Sequence, residues 1–376
     1  MTSTERLNSL SAVGAPRADA LRLAARALAL YLPQFHPTPE NDEWWGRGFT
    51  EWTNVARAKK RFPGHYQPHV PADLGFYDLR VTETLYAQAD LAQRHGVEGF
   101  VFWHYWFGGR RMLEKPVDLY MAEGPDFGFA LAWANQTWKG HWHGVAKQTL
   151  IEQTYPPGDD DRHFDALLPA FMDHRYIRVD GKPLLYIFRG EDLPDPRRCL
   201  EHWRQRAEQA GLPGLFLVAE VNDPLGRATY ADPFRAGFDG GVDLRLPARQ
   251  ARRDVTAMRV LRKLGMPEMY RYTGAPQLRP AIDPAKPIFP SVMPGWDNTP
   301  RSGRHGVVVH GATPERFATH VKAAVENLNS MPASQRLLFV KSWNEWAEGN
   351  HMEPDQRYGT AFLEALRSGV GGRLRA

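Results

Sequence analysis

The chain has 376 residues, 43% of them hydrophobic and 24% charged, and 47 basic against 43 acidic residues give a net charge of +4. This composition excludes a disordered chain, and we expect no membrane span and no nucleic-acid partner. The single cysteine, Cys199, excludes a disulfide scaffold and any multi-cysteine metal site.

Residues 1–25 are polar and alanine-rich, with scattered charges such as Arg6, Arg17 and Asp19. They contain no apolar core of signal-peptide length, so we expect no export and a cytoplasmic protein. The lack of cysteine pairs fits the same compartment. We predict a flexible or helical extension over 1–25 and one domain over 26–370.

Eight short β-rich apolar runs follow along the chain, and each predicts a strand. They are Ala27–Leu32, Gly99–Trp103, Gly128–Trp133, Leu184–Phe188, Leu215–Ala219, Gly241–Leu244, Ile288–Met293 and Leu337–Val340. Helical stripes lie between several of them, at Leu85–Ala92 before Gly96, at Leu200–Ala210 before Gly211, and at Phe317–Val325 after Thr313 and Pro314. Strands that alternate with helices predict a parallel sheet, and eight of them predict an α/β fold closed into a single (β/α)8 TIM barrel.

Active sites of such barrels lie at the C-terminal ends of the strands. Aromatic faces stack on the apolar faces of sugars, while amide, imidazole and carboxylate groups bind sugar hydroxyls. Of the 12 tryptophans only Trp203 falls on a helical stripe, so we predict a carbohydrate substrate. The predicted substrate-binding residues, taken from the strand ends and the loops after them, are His36, Trp45, Trp52, Trp103, His104, Tyr105, Trp133, Asn135, Gln136, Arg189, Glu220, Trp296, Asp297, Trp343 and Asn344.

The segment Pro33–Leu79 is far longer than a routine connection and carries Trp44, Trp45 and Trp52. Long ordered loops are usually functional, which favours a part of the site. A lid folded on its own aromatic residues explains the same pattern, and the two interpretations are compatible.

Glu345 and Glu348 are the predicted catalytic residues. Their i, i+3 spacing on a turn after the last predicted strand places the two side chains close together. Neighbouring carboxyls perturb each other's pKa, so that one holds a proton while the other is ionised. Glycosidic cleavage requires this division between an acid and a base or nucleophile. An E-x-x-E pair alone is more often a solvated helix face; the strand-end position and the Trp and Asn neighbours favour catalysis.

Three further patterns favour structural roles, and we expect no metal and no cofactor. His141, His143 and His104 lack the spacing of a metal site, so they fit hydrogen-bonding or surface histidines better. Asp159–Asp161 resembles a D-x-D metal-diphosphate motif, but its place after a proline-glycine turn favours a helix cap. No phosphate-binding glycine motif follows the first strand, which leaves nucleotide binding without support.

Several longer segments are similar to those of the WbsX-like family, whose members are called glycosyltransferase WbsX or glycoside hydrolase family 99-like proteins. The resemblance covers about residues 27–365. It rests on Y-L-P-Q-F-H-P at 31–37, N-D-E-W-W-G at 41–46, G-F-T-E-W-T-N at 48–54, G-H-Y-Q-P-H at 64–69, E-G-F at 98–100, H-Y-W-F at 104–107 and W-N-E-W-A-E-G at 343–349.

The resemblance implies a (β/α)8 barrel and a role in bacterial O-antigen or exopolysaccharide metabolism. From the related family 99 endo-α-mannosidases it implies retention through a 1,2-anhydro sugar, with Glu345 as the base on the 2-hydroxyl and Glu348 as the acid and then the base. Such a route requires manno- or rhamno-configured sugars. The chain departs from many members of the family at Gln136 and His143, which replace two acids.

Two other functions remain open. The protein could be a nucleotide-sugar-dependent glycosyltransferase of lipopolysaccharide O-antigen biosynthesis, as one family label states. It could also be a non-catalytic glycan-binding assembly protein, in which sugar affinity would survive the loss of both glutamates. In every case the expected partner is an oligo- or polysaccharide.

Overall fold

The structure is a computed structural model that describes residues 23–140, 149–250, 265–274 and 282–371. Its centre is a parallel sheet of eight strands in which the first strand pairs with both the second and the eighth, so the sheet closes on itself. The barrel strands are β1 (Arg26–Tyr31), β2 (Val97–Phe107), β3 (Gly128–Trp133), β4 (Lys182–Ile187), β5 (Phe216–Asn222), β6 (Gly240–Asp243), β7 (Ile288–Val292) and β8 (Leu337–Val340). The predicted TIM barrel is confirmed, strand by strand.

Helices follow most of the barrel strands. Two of them, α1 and α2, lie in the long segment after β1, and the short α7 lies after β7. The helices are α1 (Pro39–Trp45), α2 (Glu51–Arg57), α3 (Thr82–Arg94), α4 (Lys115–Glu123), α5 (Asp159–Met172), α6 (Pro196–Gln209), α7 (Thr299–Ser302), α8 (Pro314–Asn327) and α9 (Ala361–Val370). Among the described residues, every helix is too short or too polar to cross a lipid bilayer.

The three apolar stripes read from the sequence are the buried faces of α3, α6 and α8. On α8 the Thr313 side chain accepts a hydrogen bond from the backbone N–H of Arg316, and Pro314 occupies the first helical position, as predicted. Helix α5 begins with Asp159 and carries three acids in its first turn, where they face the positive end of the helix dipole. The triplet thus starts the helix as expected, but it does not cap it: the N-cap is Gly158, and the buried Asp159 accepts from the indole N–H of Trp106 at 3.0 Å.

Shorter strands lie mostly in the loops at the C-terminal end of the barrel, whereas Arg178–Val179 pairs with the start of β4. They are Arg110–Met112, Trp138–Lys139, Thr149–Ile151, Arg178–Val179, Ala248–Gln250, Glu268–Tyr272, Trp296–Asp297, Val307–His310, Asn344–Glu345 and Asn350–His351. Single 3-10 turns occur at Gly190–Asp192, Phe234–Ala236, Gly303–His305, Ala333–Gln335 and Trp346–Glu348.

The main core is a continuous cluster that runs from the barrel strands into the segment after β1, and a second, small cluster consists of Leu246, Tyr272, Met293 and Val309. There Trp52 contacts Phe35, Tyr77 and Trp346, with ring centroids 4.6, 5.1 and 5.5 Å away. The long segment is thus folded on its own aromatic residues and packed against the turn that carries the two glutamates.

Of the predicted extension, residues 1–22 lie outside the described residues. Ala24 and Ala25 are buried, and the N–H of Ala24 donates to the carbonyl of Val370 at 2.7 Å. The packed domain therefore includes at least these two residues ahead of Arg26.

Candidate active site

A cavity of about 460 Å³ opens at the C-terminal ends of the barrel strands, where the sequence predicts the site. Its wall includes Gln34 and Leu32 after β1, Trp138 after β3 and Lys341 after β8. From the predicted residues the structure brings together Trp45, Trp103, Tyr105, Gln136, Arg189, Glu220, Trp296, Glu345 and Glu348.

The two glutamates lie on a tight turn between the paired strands Asn344–Glu345 and Asn350–His351. Gly349 closes this turn with a φ of 61°, and a Cβ there would lie 2.9 Å from the Cβ of Asp297. Only glycine fits this conformation and this close approach without strain. The glycine of the W-N-E-W-A-E-G segment thus fixes the direction in which Glu345 and Glu348 enter the cavity.

Arg301, on α7, holds both carboxylates. Its Nη1 lies 2.7 Å from Oε1 of Glu348, and its Nη2 lies 3.1 Å from Oε2 of Glu345. Nη2 is also 3.1 Å from Oε2 of Glu51, at the start of α2. The Arg301 side chain is only 5% exposed, so one buried guanidinium joins three buried or half-buried carboxyl groups from two other loops, after β1 and after β8.

Glu348 has a second cation within reach. The Nζ of Lys341 lies 3.6 Å from its Oε2, and the side-chain amide of Asn350 donates to the same oxygen at 3.4 Å. Lys341 also lies over the ring of Trp296, 5.6 Å from the centroid. Positive charge is therefore concentrated on Glu348 rather than on Glu345.

The neighbouring charges give the two carboxyl groups different pKa values. Burial and the neighbouring Glu348 raise the pKa of Glu345 to about 7. Burial also acts to raise the pKa of Glu348, but Lys341 and Arg301 outweigh it and hold that pKa below its ordinary value. Below about pH 7 the proton that the free pair holds therefore lies on Glu345, and Glu348 is the carboxylate.

Glu220, at the end of β5, supplies another carboxyl to the cavity wall. Its side chain is buried, and burial raises its pKa to about 8 although Lys341 opposes the shift. The hydroxyl of Tyr186 donates to its Oε2 at 3.1 Å. At neutral pH this group is a protonated acid that can donate a hydrogen bond to a ligand.

Other predicted residues lie behind the wall of this cavity and connect its loops. Asn344 is fully buried: its Oδ1 accepts from the N–H of Leu32 at 2.7 Å and its Nδ2 donates to the carbonyl of Leu32 at 3.0 Å. Asn135 exchanges an equivalent pair of hydrogen bonds with the backbone of Arg189. The remaining residues outside the lining are His36, Trp52, His104, Trp133, Asp297 and Trp343.

Two of these residues show how the loops are held. Asp297 accepts from the side-chain amide of Gln67 at 2.7 Å and lies 2.6 Å from Nε2 of His65, which fixes the long segment after β1. The rings of His104 and His163 are 2.9 Å apart between their Nε2 atoms, which makes His104 a partner of α5. His141 and His143 lie outside the described residues.

The sequence prediction omitted Arg301, Lys341 and Glu51. Lys341 directly follows β8, so the strand-end rule that selected Glu220 could have selected it. Arg301 and Glu51 lie deep inside long loops, where spacing carries no information about which side chain turns inward.

Comparisons with known proteins give the family and the fold of the chain. A family model described as Glycosyltransferase WbsX matches residues 27–366. The curated relatives include uncharacterized protein WxcX from two strains of Xanthomonas campestris pv. campestris, which are 39% identical over 360 residues and 38% identical over 357. These alignments cover 93% of the chain and 50% of each relative, so the chain spans about half the length of the curated relatives it matches.

Two solved structures share the fold. A glycoside hydrolase-like protein aligns with a TM-score of 0.56 and 15% identity, over 95% of this chain and 97% of its own. The GH99 endo-alpha-mannosidase from Bacteroides thetaiotaomicron aligns with a TM-score of 0.52 and 16% identity, over 92% of this chain and 96% of its own. At these identities the likeness shows the barrel architecture.

Proposed function

The chain belongs to the glycosyltransferase WbsX family, and from this membership we propose that it cleaves or transfers α-linked manno- or rhamno-configured sugars in a bacterial surface polysaccharide. The observation that carries the proposal is the pair Glu345 and Glu348, which share one guanidinium on the wall of an aromatic-lined cavity and whose pKa values are displaced in opposite directions. Two carboxyls in different protonation states are what glycosidic acid–base chemistry requires.

The proposed reaction proceeds in two steps. In the first, Glu345 takes the proton of the sugar 2-hydroxyl, the 2-oxygen bonds to C1, and the leaving oxygen departs with a proton from Glu348. In the second, Glu348 takes a proton from water or an acceptor hydroxyl whose oxygen attacks C1; the anhydro ring opens, and Glu345 returns the proton to the 2-oxygen. C1 is inverted twice, so its configuration is retained.

The proton of the resting pair must move before this reaction begins, because it belongs to Glu345 in the free protein. We propose that a bound sugar shifts it to Glu348, since the 2-hydroxyl donates a hydrogen bond to Glu345 and stabilises that carboxylate. Arg301 contacts both groups and keeps one negative charge on the pair in either arrangement.

The test is product analysis with α-mannosyl and α-rhamnosyl glycans in the absence of any donor. We expect shortened or rearranged glycans with retained anomeric configuration, read by mass spectrometry and NMR. Glu345→Gln and Glu348→Gln should each lower kcat by at least about 100-fold while the far-UV spectrum and melting temperature stay close to those of the wild type. Near wild-type turnover by either variant would refute the assignment of Glu345 and Glu348 as the catalytic residues.

A leaving-group comparison assigns the two roles. A glycosyl fluoride needs little acid assistance, so Glu348→Gln should recover activity on it, whereas Glu345→Gln should not. If Glu345→Gln recovers activity on the fluoride and Glu348→Gln does not, the two roles are exchanged. Glu345 would then be the acid, which is also the residue that holds the proton in the free protein.

Donor-dependent transfer is the second candidate, because the family description names a glycosyltransferase. Glycans that are lengthened only when a nucleotide sugar is added would establish it. A protein that binds glycans with unchanged affinity in the Glu345→Gln/Glu348→Gln variant, and whose wild type turns over neither glycans nor donors, would instead be a binding protein.

A further inference from the structure

A second cavity, of about 380 Å³, shares Trp296 with the active site but is otherwise lined by different residues. His69, His351 and Asp355 lie together on its wall. Each offers a ligand atom, and these atoms lie within 4.8 Å of one another. The three residues come from two loops, after β1 and after β8, and 282 positions separate the two histidines.

The two imidazoles face each other through nitrogen atoms. Nδ1 of His69 is 2.8 Å from Nε2 of His351. The other nitrogen of His351, Nδ1, is 2.9 Å from the carbonyl of Glu353, which can only accept, so Nδ1 carries the proton. The lone pair of Nε2 is therefore directed at His69. A histidine that donates its distal N–H to a backbone carbonyl is the usual outer support of a metal ligand.

In the absence of an ion, Nδ1 of His69 donates to that lone pair. When His69 instead carries its proton on Nε2, the lone pairs of its Nδ1 and of Nε2 of His351 point into the same space, and both rings stay neutral. Two nitrogen ligands of a tetrahedral zinc ion are about 3.3 Å apart, given bonds of about 2.0 to 2.1 Å. The two rings need to separate by only about half an ångström, and His69 is half-buried at a cavity wall that leaves it room.

Asp355 is oriented for the third bond. Its Oδ1 accepts from the backbone N–H groups of Arg357 and Tyr358 at 3.0 and 2.7 Å, which fixes the carboxylate plane. Its Oδ2 accepts from the hydroxyl of Tyr66 at 3.1 Å and has lone pairs left for an ion. A buried carboxylate also supplies the negative charge that a divalent cation needs in a poorly solvated site.

We propose that His69, His351 and Asp355 bind one divalent transition-metal ion, with zinc as the best fit. Two imidazoles and a carboxylate are a common zinc ligand set, and the cavity leaves the fourth position to water or a ligand. The ion would bind beside the catalytic turn. The ring of His351 stacks on Trp346, with ring centroids 3.6 Å apart, and Trp346 lies between Glu345 and Glu348 in the sequence. The bound ion would link the long segment after β1, through His69, to the loop after β8, through His351 and Asp355.

The test uses the full chain without an affinity tag. Metal analysis after dialysis should give about one zinc per chain. Removal of the metal by a chelator should lower the melting temperature by about 5 °C, and added zinc should restore it. Cobalt(II) bound in place of zinc should show the intense visible absorption of a tetrahedral site, which reports the ligands independently of stability.

His69→Gln and Asp355→Asn should each weaken zinc binding at least about 100-fold. His310→Gln is the matched control, since His310 lines the same cavity outside the cluster. His141→Gln/His143→Gln controls for zinc bound elsewhere on the chain, and both controls should keep one zinc. The proposal fails if the wild type retains no zinc and shows no cobalt spectrum, or if His69→Gln and Asp355→Asn bind zinc as the wild type does. The two histidines would then form a hydrogen-bonded pair only, with Asp355 bound to Tyr66 beside them.

Discussion

The guanidinium of Arg301 and the carboxylate of Glu348 meet at 2.7 Å, and the same guanidinium contacts Glu345 and Glu51. Burial raises the pKa of Glu51, whereas Arg301 lowers it, and the same opposition operates at Glu345. The catalytic pair is thus part of a cluster of three carboxyls around one cation, and its ionisation depends on that cation.

Arg301→Met should destabilise the protein by about 3 to 5 kcal/mol at pH 8, because it leaves carboxylates buried without their cation. The loss should be smaller at pH 5, where protonation removes the uncompensated charge. Denaturant unfolding at both pH values measures this difference. Arg304→Met, at an exposed position three residues further on, should change neither value. An equal loss at both pH values would show that Arg301 stabilises the fold by packing rather than by charge.

Glu220 should make stability depend on pH. Its pKa in the folded protein is about 8, against about 4.3 for an unfolded glutamate, so the folded state keeps a proton that the unfolded state releases. The stability contributed by this group is complete below pH 4.3 and is lost as the pH rises through 8, by at most about 5 kcal/mol.

The comparison of wild type with Glu220→Gln between pH 5 and 8.5 isolates this effect. The variant should show a flatter decline of the free energy of unfolding, because the amide has no proton to lose. Glu326→Gln, an exposed glutamate on α8, should leave the slope unchanged. A variant that declines as steeply as the wild type would place the titrating group elsewhere.

Trp45 should contribute to sugar affinity, since it lines the active-site cavity whereas its neighbour Trp44 packs against Trp138 at 6.0 Å. Trp45→Ala should weaken glycan binding about tenfold by the loss of a stacking surface. Calorimetry on the Glu348→Gln background measures binding without turnover. Trp44→Ala is the matched substitution and should bind within about twofold of the parent. Equal losses in the two variants would mean that α1 acts through its packing alone.

Asn344 should matter for stability rather than for substrate. Asn344→Ala leaves the N–H and carbonyl of Leu32 without their side-chain partner in a buried site, at a cost of about 2 to 4 kcal/mol. KM should stay within about twofold of the wild type, and unfolding curves should show the loss. Asn329→Ala, on the surface, should cost less than about 0.5 kcal/mol. A large rise in KM without a loss of stability would restore Asn344 to the sugar-binding set.

The barrel could be predicted from the sequence because its strands are apolar runs separated by segments in which apolar residues recur with helical periodicity. Even Gly241–Leu244, a run of four residues, corresponds to β6 at Gly240–Asp243. The predicted boundary is wrong where aromatic residues continue beyond the barrel wall: the run Gly99–Trp103 predicts a short strand, but β2 extends to Phe107 and pairs with Arg110–Met112.

The position just past a strand identifies candidates but does not give the direction of the side chain. After β3, Gln136 faces the cavity while Asn135, one residue earlier, turns away to bind the backbone of Arg189. Arg301 and the cluster of His69, His351 and Asp355 depend on contacts between loops that are distant in sequence. No local pattern encodes such contacts, so the expectation of a chain without metal took no account of this cluster.

The pairing of β1 with β8 has a consequence for synthesis on the ribosome. The hydrogen-bonded contact between Leu32 and Asn344 joins residues 312 positions apart, and β1 shares its other edge with β2. At about 5 to 20 residues per second, the first strand waits on the order of 15 to 60 s for the eighth to be translated. During that time the edge of β1 that will face β8 is unpaired, and such an apolar edge is a template for pairing with another chain.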